Sequence, residues 1–595
     1  MAVAERLSRE VRFLLGLVRT LARVRTISAK SANLICDDLE RAVDRWSDRP
    51  AITFEGLTIS YGELDGLANR WAHWAQARGL KRGDVVALIL PNRLDYLPIW
   101  YGFSKVGVAA ALINDELVGE PLAHCLEISG ARHCLVDGAT APRLEAVRAR
   151  LVEQMTAWSL DATSSDGAKL AKDLESGSAT RPPRAVRAGL SAADTALLIY
   201  TSGTTGLPKA ARITHMRAQL YMRGFAGATG AAAHDRIYVT LPLYHATGGL
   251  CAMGAALLNG GRVLLRNGFS AHHFWAEVAE LRATMFVYIG ELCRYLINQP
   301  SQAGEGTHDL RLAFGNGLRS DVWESLQSRF CVPRILEFYG STEGNVSMFN
   351  FDGRLGAIGR VPPWIKRLFN VALVRFDVES ETPVRGADGL CIEAPAGEVG
   401  ECVGRIGAGA RTSYSGYADR AASERKVLRD VFKAGDRWFA TGDLMRQDGE
   451  GYFYFVDRVG DTFRWKGQNV STTEVAQILM AMPWVMEANV YGVAVEGHDG
   501  RAGMAALVVA PEFDIGDFEA RLEAALPPYA QPLFLRLTPR LETTGTFKQR
   551  KADLVAAGFY PAKTPPPLYF HDGVNGFVRL TPEVYRRITA PGARL

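Results

Sequence analysis

The sequence predicts an α/β fold: a large N-terminal body of layered mixed α/β sheets with a small β-rich subdomain, followed by a small α+β C-terminal domain. Three observations lead there. At 595 residues the chain exceeds what one hydrophobic core organises, so two or more domains are expected. From about Ser60 to Arg360 an apolar run, a Gly or Pro break and a helical period alternate, as in "DVVALILP", "TALLIYTSG", "RIYVTLPLYH", "ATMFVYIGE", "DLRLAFGNG" and "PRILEFYGS". After Gly353 the texture changes to short, Gly-punctuated, aromatic-rich runs such as "GEGYFYFVDRVGD".

Residues 1–30 predict an amphipathic helix. Val3, Leu7, Val11, Leu14, Val18 and Leu21 recur every three or four residues, and Arg6, Arg9, Arg12, Arg19 and Arg23 make the remainder basic. Those arginines, with no small-residue cleavage site after an apolar core, argue against a signal peptide or a span. The stripe has two uses open to it: packing on the protein's own body, or docking on anionic lipid headgroups. Residues 31–459 are expected to form the large domain. Within it the uncharged stretch Leu241 to Gly261 is interrupted near its start by Pro242, His245 and Gly248–Gly249, leaving too short a helix to cross a bilayer. It reads as a strand end, a loop and a buried helix. The boundary falls near Val459–Asp461, and residues 460–595 predict the small domain: a strand over Asp461–Val470, then a helix announced by the capping-box signal Ser471-Thr472-Thr473-Glu474.

The bulk numbers exclude several classes. A formal net charge of +4 on this length is too slight to argue for nucleic acid. The eight cysteines are scattered without a CxxC or clustered histidines, which argues against a zinc site or a disulfide framework and fits a reducing, cytoplasmic compartment.

The chemistry concentrates in "LLIYTSGTTGLPKAAR", Leu197 to Arg212. Thr201, Ser202, Thr204 and Thr205 offer hydroxyls, Gly203 and Gly206 let backbone N–H groups approach a ligand, and Lys209 adds one cation. Donors, close backbone and a cation suit a polyphosphate. No GK[ST] closes the loop, so it is not a Walker-A motif; as bare chemistry an ordinary Ser/Thr/Gly loop remains the alternative.

"YTSGTTGLPKAA" resembles the phosphate loop of the adenylate-forming superfamily: acyl-CoA synthetases, luciferases and peptide-synthetase adenylation domains. In that family's order, "EFYGSTEGN" (Glu337–Asn345) resembles its adenine- and magnesium-binding motif and "FATGDL" (Phe439–Leu444) its ribose-binding motif. "VDRVGDTFRWKGQNVSTTEV" resembles its hinge and the start of its mobile small domain. "GYADRAASERKVLRDVF" and "TGTFKQRKADL" are similar to the fatty acid transport protein, or very-long-chain acyl-CoA synthetase, branch. The resemblance spans about Ser60 to Tyr560.

The resemblance implies ATP, Mg²⁺ and coenzyme A, and assigns roles residue by residue. Thr201, Ser202, Gly203, Thr204, Thr205, Gly206 and Lys209 would hold the phosphates. Glu343, with Thr204, would ligate Mg²⁺, which takes a few oxygen ligands plus phosphates and water. Gly315, Asn316 and Gly317 with Tyr339, Gly340, Ser341 and Thr342 would enclose adenine. Asp443 and Arg458 would bind the ribose. Lys548 would bridge the attacking carboxylate and the α-phosphate; Phe547 stands where the wider family has glycine, which leaves Lys551 as its rival. Gly460 stands at the pivot, where the family usually has Asp or Lys, and Lys466 and Gly467 would face the CoA side. His245 would lie near the carboxylate end of an acyl tunnel, in which each buried methylene is worth about 0.8 kcal/mol.

The expected function is ATP-dependent ligation of a long- or very-long-chain fatty acid to coenzyme A through an acyl adenylate, releasing AMP and pyrophosphate. One alternative is a fatty acyl-AMP ligase that passes the acyl group to a carrier protein; the compact Asp457–Gly467 segment argues against the insertion such enzymes carry. Another is a membrane-associated fatty acid uptake protein in which ligation is incidental, supported only by the N-terminal helix. The expected location is cytoplasmic, with peripheral contact on the inner face of the membrane through that helix.

Overall fold

The computed structural model describes residues 2–151, 155–161, 163–201, 207–302, 304–496, 498, 500–542, 551–561 and 567–590. The chain divides into two compact units, residues 1–361 with 404–427, and residues 362–403 with 428–595.

Two sheets organise the first unit. One is eight-stranded, in the order Ser347–Phe349, Ile335–Gly340, Leu312–Asn316, Met285–Ile289, Arg236–Val239, Arg262–Leu265, Pro50–Phe54, Leu57–Ser60. Its six inner strands run parallel and both edges are antiparallel. The other is six-stranded, ordered Thr156–Ser159, His133–Val136, Val85–Ile89, Ala109–Ile113, Thr195–Thr201, Lys209–Thr214, parallel except for its last pair. Inner strands such as Ala109–Ile113 are buried on both faces, which is why they read as unbroken apolar runs. In a parallel sheet every carboxyl end opens on the same edge, and the loops there gather what binds ligands.

The apolar stretch after Leu241 folds much as expected, with one difference. Thr247–Ala252 is wound as a π-helix that passes into the buried α-helix Met253–Leu257. A Cβ on Gly248 would lie 2.6 Å from the Pro242 carbonyl oxygen, and one on Gly249 only 2.1 Å from that of Leu243, so the wide turn needs both glycines.

A buried ionic network ties the first unit together. The Lys105 ammonium is wholly buried and donates to Asp65 at 2.5 Å and Asn69 at 2.5 Å, with Glu40 at 3.4 Å. Asp65 also accepts from Tyr101 at 2.5 Å and Arg181 at 2.7 Å, while Arg187 pairs with Asp37 and Glu40.

The second unit carries the antiparallel pair Arg437–Gln447 and Tyr452–Arg458, and a five-stranded sheet ordered Val485–Val493, Ala502–Val509, Phe534–Leu537, Leu568–His571, Phe577–Arg579. The helix Thr472–Met480 begins where the capping signal places it: the Ser471 hydroxyl accepts from the Glu474 N–H. The single strand expected over Asp461–Val470 is instead a hairpin, Phe463–Trp465 on Gln468–Val470. Lys466 and Gly467 both have positive φ, 49° and 78°, the pair of values a two-residue type I′ turn demands.

Removing Asp65 leaves Lys105 charged in the interior without its main partner. Asp65→Ala should therefore cost about 3–5 kcal/mol, seen as a lowered denaturation midpoint, and a loss below about 1 kcal/mol would contradict the network's role.

Candidate functional site

The residues expected to enclose adenine come together through strand register. Leu312–Asn316 and Ile335–Gly340 are parallel neighbours with Gly315 opposite Glu337, so the loop after Asn316 and the motif around Tyr339 leave the sheet side by side. A Cβ on Gly315 would sit 2.1 Å from the Tyr288 carbonyl oxygen, which restricts that position to glycine; Gly317 turns the loop at φ 81°.

Beneath the loop lies Glu337, missed as a functional residue in the sequence although it opens the motif. Its carboxyl is buried, accepts from the Leu318 N–H at 3.0 Å, and meets the Tyr288 hydroxyl at 2.5 Å. Burial raises its pKa to about 8, against the opposing pull of those donors.

Among the described residues the buried Asn316 Oδ1 and Ser341 Oγ have no hydrogen-bond partner, so both are open to a polar ligand. The Ser341 carbonyl accepts from the Arg217 guanidinium and the Tyr221 hydroxyl, both at 2.9 Å, so helix His215–Ala228 props the Ser341–Thr342 segment from behind. Neither residue carried a signal in the sequence.

Glu343 is half-buried and its Oε1 accepts from the Tyr417 hydroxyl at 2.8 Å. Burial first, and then that neighbouring carboxylate, raise the Tyr417 pKa far above the ordinary phenol value, so the hydroxyl stays a donor. The Lys209 ammonium stands 5.7 Å from the centroid of the same ring. Tyr417 thus touches both the carboxylate expected to hold Mg²⁺ and the cation expected to hold phosphate. The sequence offered only its membership of the "GYADRA" stretch. Thr201 and Lys209 pair directly as the strands close, so the loop joins two antiparallel strands rather than opening a helix. Ser202, Gly203, Thr204, Thr205 and Gly206 lie outside the described residues, as does Lys548.

His245 is half-buried with its ring 4.6 Å from that of Tyr244, at the entrance to the π-helix.

In the second unit, Asp443 and Arg458 face each other across antiparallel strands, Arg458 Nε 3.6 Å from Asp443 Oδ1. The carboxylate is buried and the guanidinium half-exposed, so the pair presents an acceptor backed by a donor. Gly442 reaches φ 79° in that strand, its N–H donating to Glu401 Oε1 at 3.2 Å. Gly460 sits at φ 88° in a turn closed by the Asp461 N–H on the Arg458 carbonyl at 3.1 Å, and a Cβ there would meet nothing within 4 Å. Carboxylates bracket it: Asp457 accepts from the Thr472 N–H at 2.6 Å, and Asp461 from Lys551 at 3.2 Å. Lys551 also donates to Thr472 Oγ1 at 2.6 Å, so this lysine is already engaged within its own unit.

With this geometry in hand, comparison with known proteins is specific. The AMP-binding enzyme family matches residues 39–396, and the AMP-binding enzyme C-terminal domain matches residues 474–548. The chain is 40% identical to long-chain fatty acid transport protein 6 of Mus musculus over 91% of its length and 88% of that protein's. It is 38% identical to the Homo sapiens protein of the same name over 97% and 94%. Among solved structures, ATP-bound MatB from Rhodopseudomonas palustris superposes with a TM-score of 0.73 at 23% identity, covering 88% of this chain and 98% of that one. A fatty acyl CoA synthetase of Mycobacterium tuberculosis superposes with a TM-score of 0.63 at 23% identity, over 90% and 99%. These two likenesses establish the fold. The sequence matches go further: the chain belongs to the AMP-binding enzyme family, in its long-chain fatty acid transport protein branch.

Proposed function

We propose that the protein is an ATP-dependent fatty acyl-CoA synthetase acting on long or very long chains. What carries the reading is Tyr417, which couples Glu343 to Lys209 beside a loop with orphaned polar atoms suited to adenine. Two anions must meet in the first step. The fatty acid carboxylate attacks the α-phosphorus of ATP and pyrophosphate leaves; in the second step the CoA thiol attacks the acyl carbon and AMP leaves.

Each step needs charge and donors fixed in advance. Lys209 and the Thr201–Gly206 loop would take the β- and γ-phosphates; Lys548 would stabilise the charge shared between carboxylate and α-phosphate. Glu343, with Thr204, would hold Mg²⁺: a carboxylate oriented by a donated hydrogen bond is the hard oxygen ligand that ion takes, and the ion would supply positive charge to the polyphosphate. Asp443 would accept from the ribose hydroxyls, with Arg458 beside it. Tyr339 would lie against adenine, Glu337 keeping the opposing loop in place. His245 would mark the acyl carboxylate's position, with the Gly248–Gly249 turn shaping the tunnel wall.

The segments 31–459 and 460–595 would be the working parts, pivoting at Gly460 between the two steps so that the CoA thiol replaces Lys548; Lys466 and Gly467 would then border the CoA arm. Glycine takes up a large φ/ψ change without steric cost. The protein would act in the cytoplasm or at the inner face of the membrane, with residues 1–30 as the contact.

The direct test measures AMP formation across fatty acids of graded length with and without CoA. Turnover should depend on CoA and favour long chains, and Lys548→Ala should abolish adenylate formation. Turnover indifferent to CoA would point to the acyl-AMP ligase; undiminished adenylate formation by Lys548→Ala would overturn the scheme. Tyr417→Phe removes one hydrogen bond to a charged group and should lower kcat about tenfold or more while raising the Mg²⁺ requirement.

Because Glu337 has its pKa raised from 4.5 to about 8, its protonated form is the one the fold favours. The stability it contributes is complete below about 4.5, declines as pH climbs towards 8, and is gone beyond that. Glu337→Gln should flatten that slope in pH-dependent unfolding while retaining ATP binding, and an unchanged slope would refute the assignment.

A further inference from the structure

The helix Ala2–Val24 is seated on the first unit by one side only. Phe13, 1% exposed, sets its ring edge on Phe351 with centroids 6.0 Å apart, and the Arg360 guanidinium lies 5.3 Å from its centroid. A Cβ on Gly16 would fall 2.4 Å from the Phe351 ring, and one on Gly227 only 2.7 Å from the Thr20 Cα, so the helix lies directly on helix His215–Ala228. Glu10 pairs with Arg360 at 2.5 Å and Arg23 donates to Asn259 at 2.5 Å. These contacts fix which face looks outward.

The outward face is apolar. At about 100° per residue, Leu14, Leu7, Val18, Val11 and Leu15 fall within roughly one quarter to one third of the helix circumference. Their exposure runs from 39% at Leu14 to 65% at Leu7. Fully formed helices of soluble bodies put such a stripe inward; here the inward side is taken by Phe13, Gly16 and Val24, and the stripe is left outside.

One edge of that stripe is basic. Arg12 and Arg19, both exposed, follow it around the helix, and Arg334 stands near them. Arg334 is itself exposed; partial desolvation first, and then Arg19, Arg311 and Arg12, lower its pKa, so guanidinium groups here repel one another and an arriving anion would relieve them. Arg311 is already paired with Asp235 at 2.7 Å.

We propose that this face of the N-terminal helix is the docking surface for an anionic lipid bilayer: Leu7, Val11, Leu14, Leu15 and Val18 enter the acyl boundary while Arg12, Arg19 and Arg334 take the headgroup phosphates. The helix lies in the plane of the interface; no helix among the described residues is long and apolar enough to cross a membrane. A second copy is the poorer occupant, since it would bring another basic edge to a surface where guanidinium groups already crowd. The proposal gives a defined face and lipid chemistry to the peripheral contact named above, and it holds whether or not the chain ligates CoA.

The test is co-sedimentation of the full chain with vesicles of phosphatidylcholine alone or mixed with phosphatidylglycerol. Binding should require the anionic lipid and weaken with salt. Leu14→Glu/Val18→Glu should reduce partitioning by about tenfold or more, and Arg12→Gln/Arg19→Gln should blunt the salt dependence. AMP formation from a water-soluble shorter fatty acid should be unchanged in these variants, which separates failure of docking from failure of the ligase reading. Equal binding to neutral vesicles, or variants that bind like the parent chain, would overturn the proposal. So would analytical ultracentrifugation showing that Leu14→Glu/Val18→Glu splits a dimer without altering vesicle binding.

Discussion

The parallel pairing of Leu312–Asn316 with Ile335–Gly340 is the constraint on which the candidate nucleotide site depends. Gly315 opposite Glu337 fixes where both strands end, and everything beyond inherits that alignment. The fit is tight enough to exclude any side chain at Gly315, because the Tyr288 carbonyl occupies the space. Glu337 then fastens the emerging loop from below through the Leu318 N–H. A buried carboxyl is costly when ionised, so this fastening draws on its neutral form. The result is a loop positioned by the sheet as well as by the turn at Gly317.

The second theme is the holding of charge. Glu343, Tyr417 and Lys209 come from three separate stretches of chain, yet one aromatic ring touches both ionic groups. Its hydroxyl orients the carboxylate and its face meets the cation, so the opposite charges are spaced without neutralising each other. Asp443 and Arg458 differ in meeting directly, across two antiparallel strands at 3.6 Å. Around Gly460, by contrast, polar contacts are gathered on either side and none crowds the glycine itself. That is the local condition a pivot requires.

The N-terminal helix shows the same economy at the surface. Gly227 lets the two helices approach closely, Gly16 makes room for the Phe351 ring, and Phe13 anchors the contact. The larger aliphatic side chains are thereby released from packing and turned outward, with arginines at their margin.

Much of this was legible beforehand. Unbroken apolar runs gave the buried parallel strands because a strand covered on both faces has no polar side to show. Ser471 marked its helix because only a few side chains can satisfy the first N–H groups. Asp461–Val470 was misread as one strand because the turn signal is a single Lys-Gly dipeptide, whose positive φ values declare themselves only in three dimensions. Tyr417, Arg217 and Tyr221 were missed for a different reason: each acts on a residue 74 to 124 positions away, and no local period records such a partnership. The helical period of residues 2–24 likewise fixed a stripe but not its direction. The sequence by itself determined the kinds of elements and the family, since these depend on neighbouring side chains and local backbone preference. Which carboxyl is buried, which hydroxyl meets Glu343 and which way the first helix faces were decided only by tertiary structure, because burial and long-range contact exist only once distant segments share one interior.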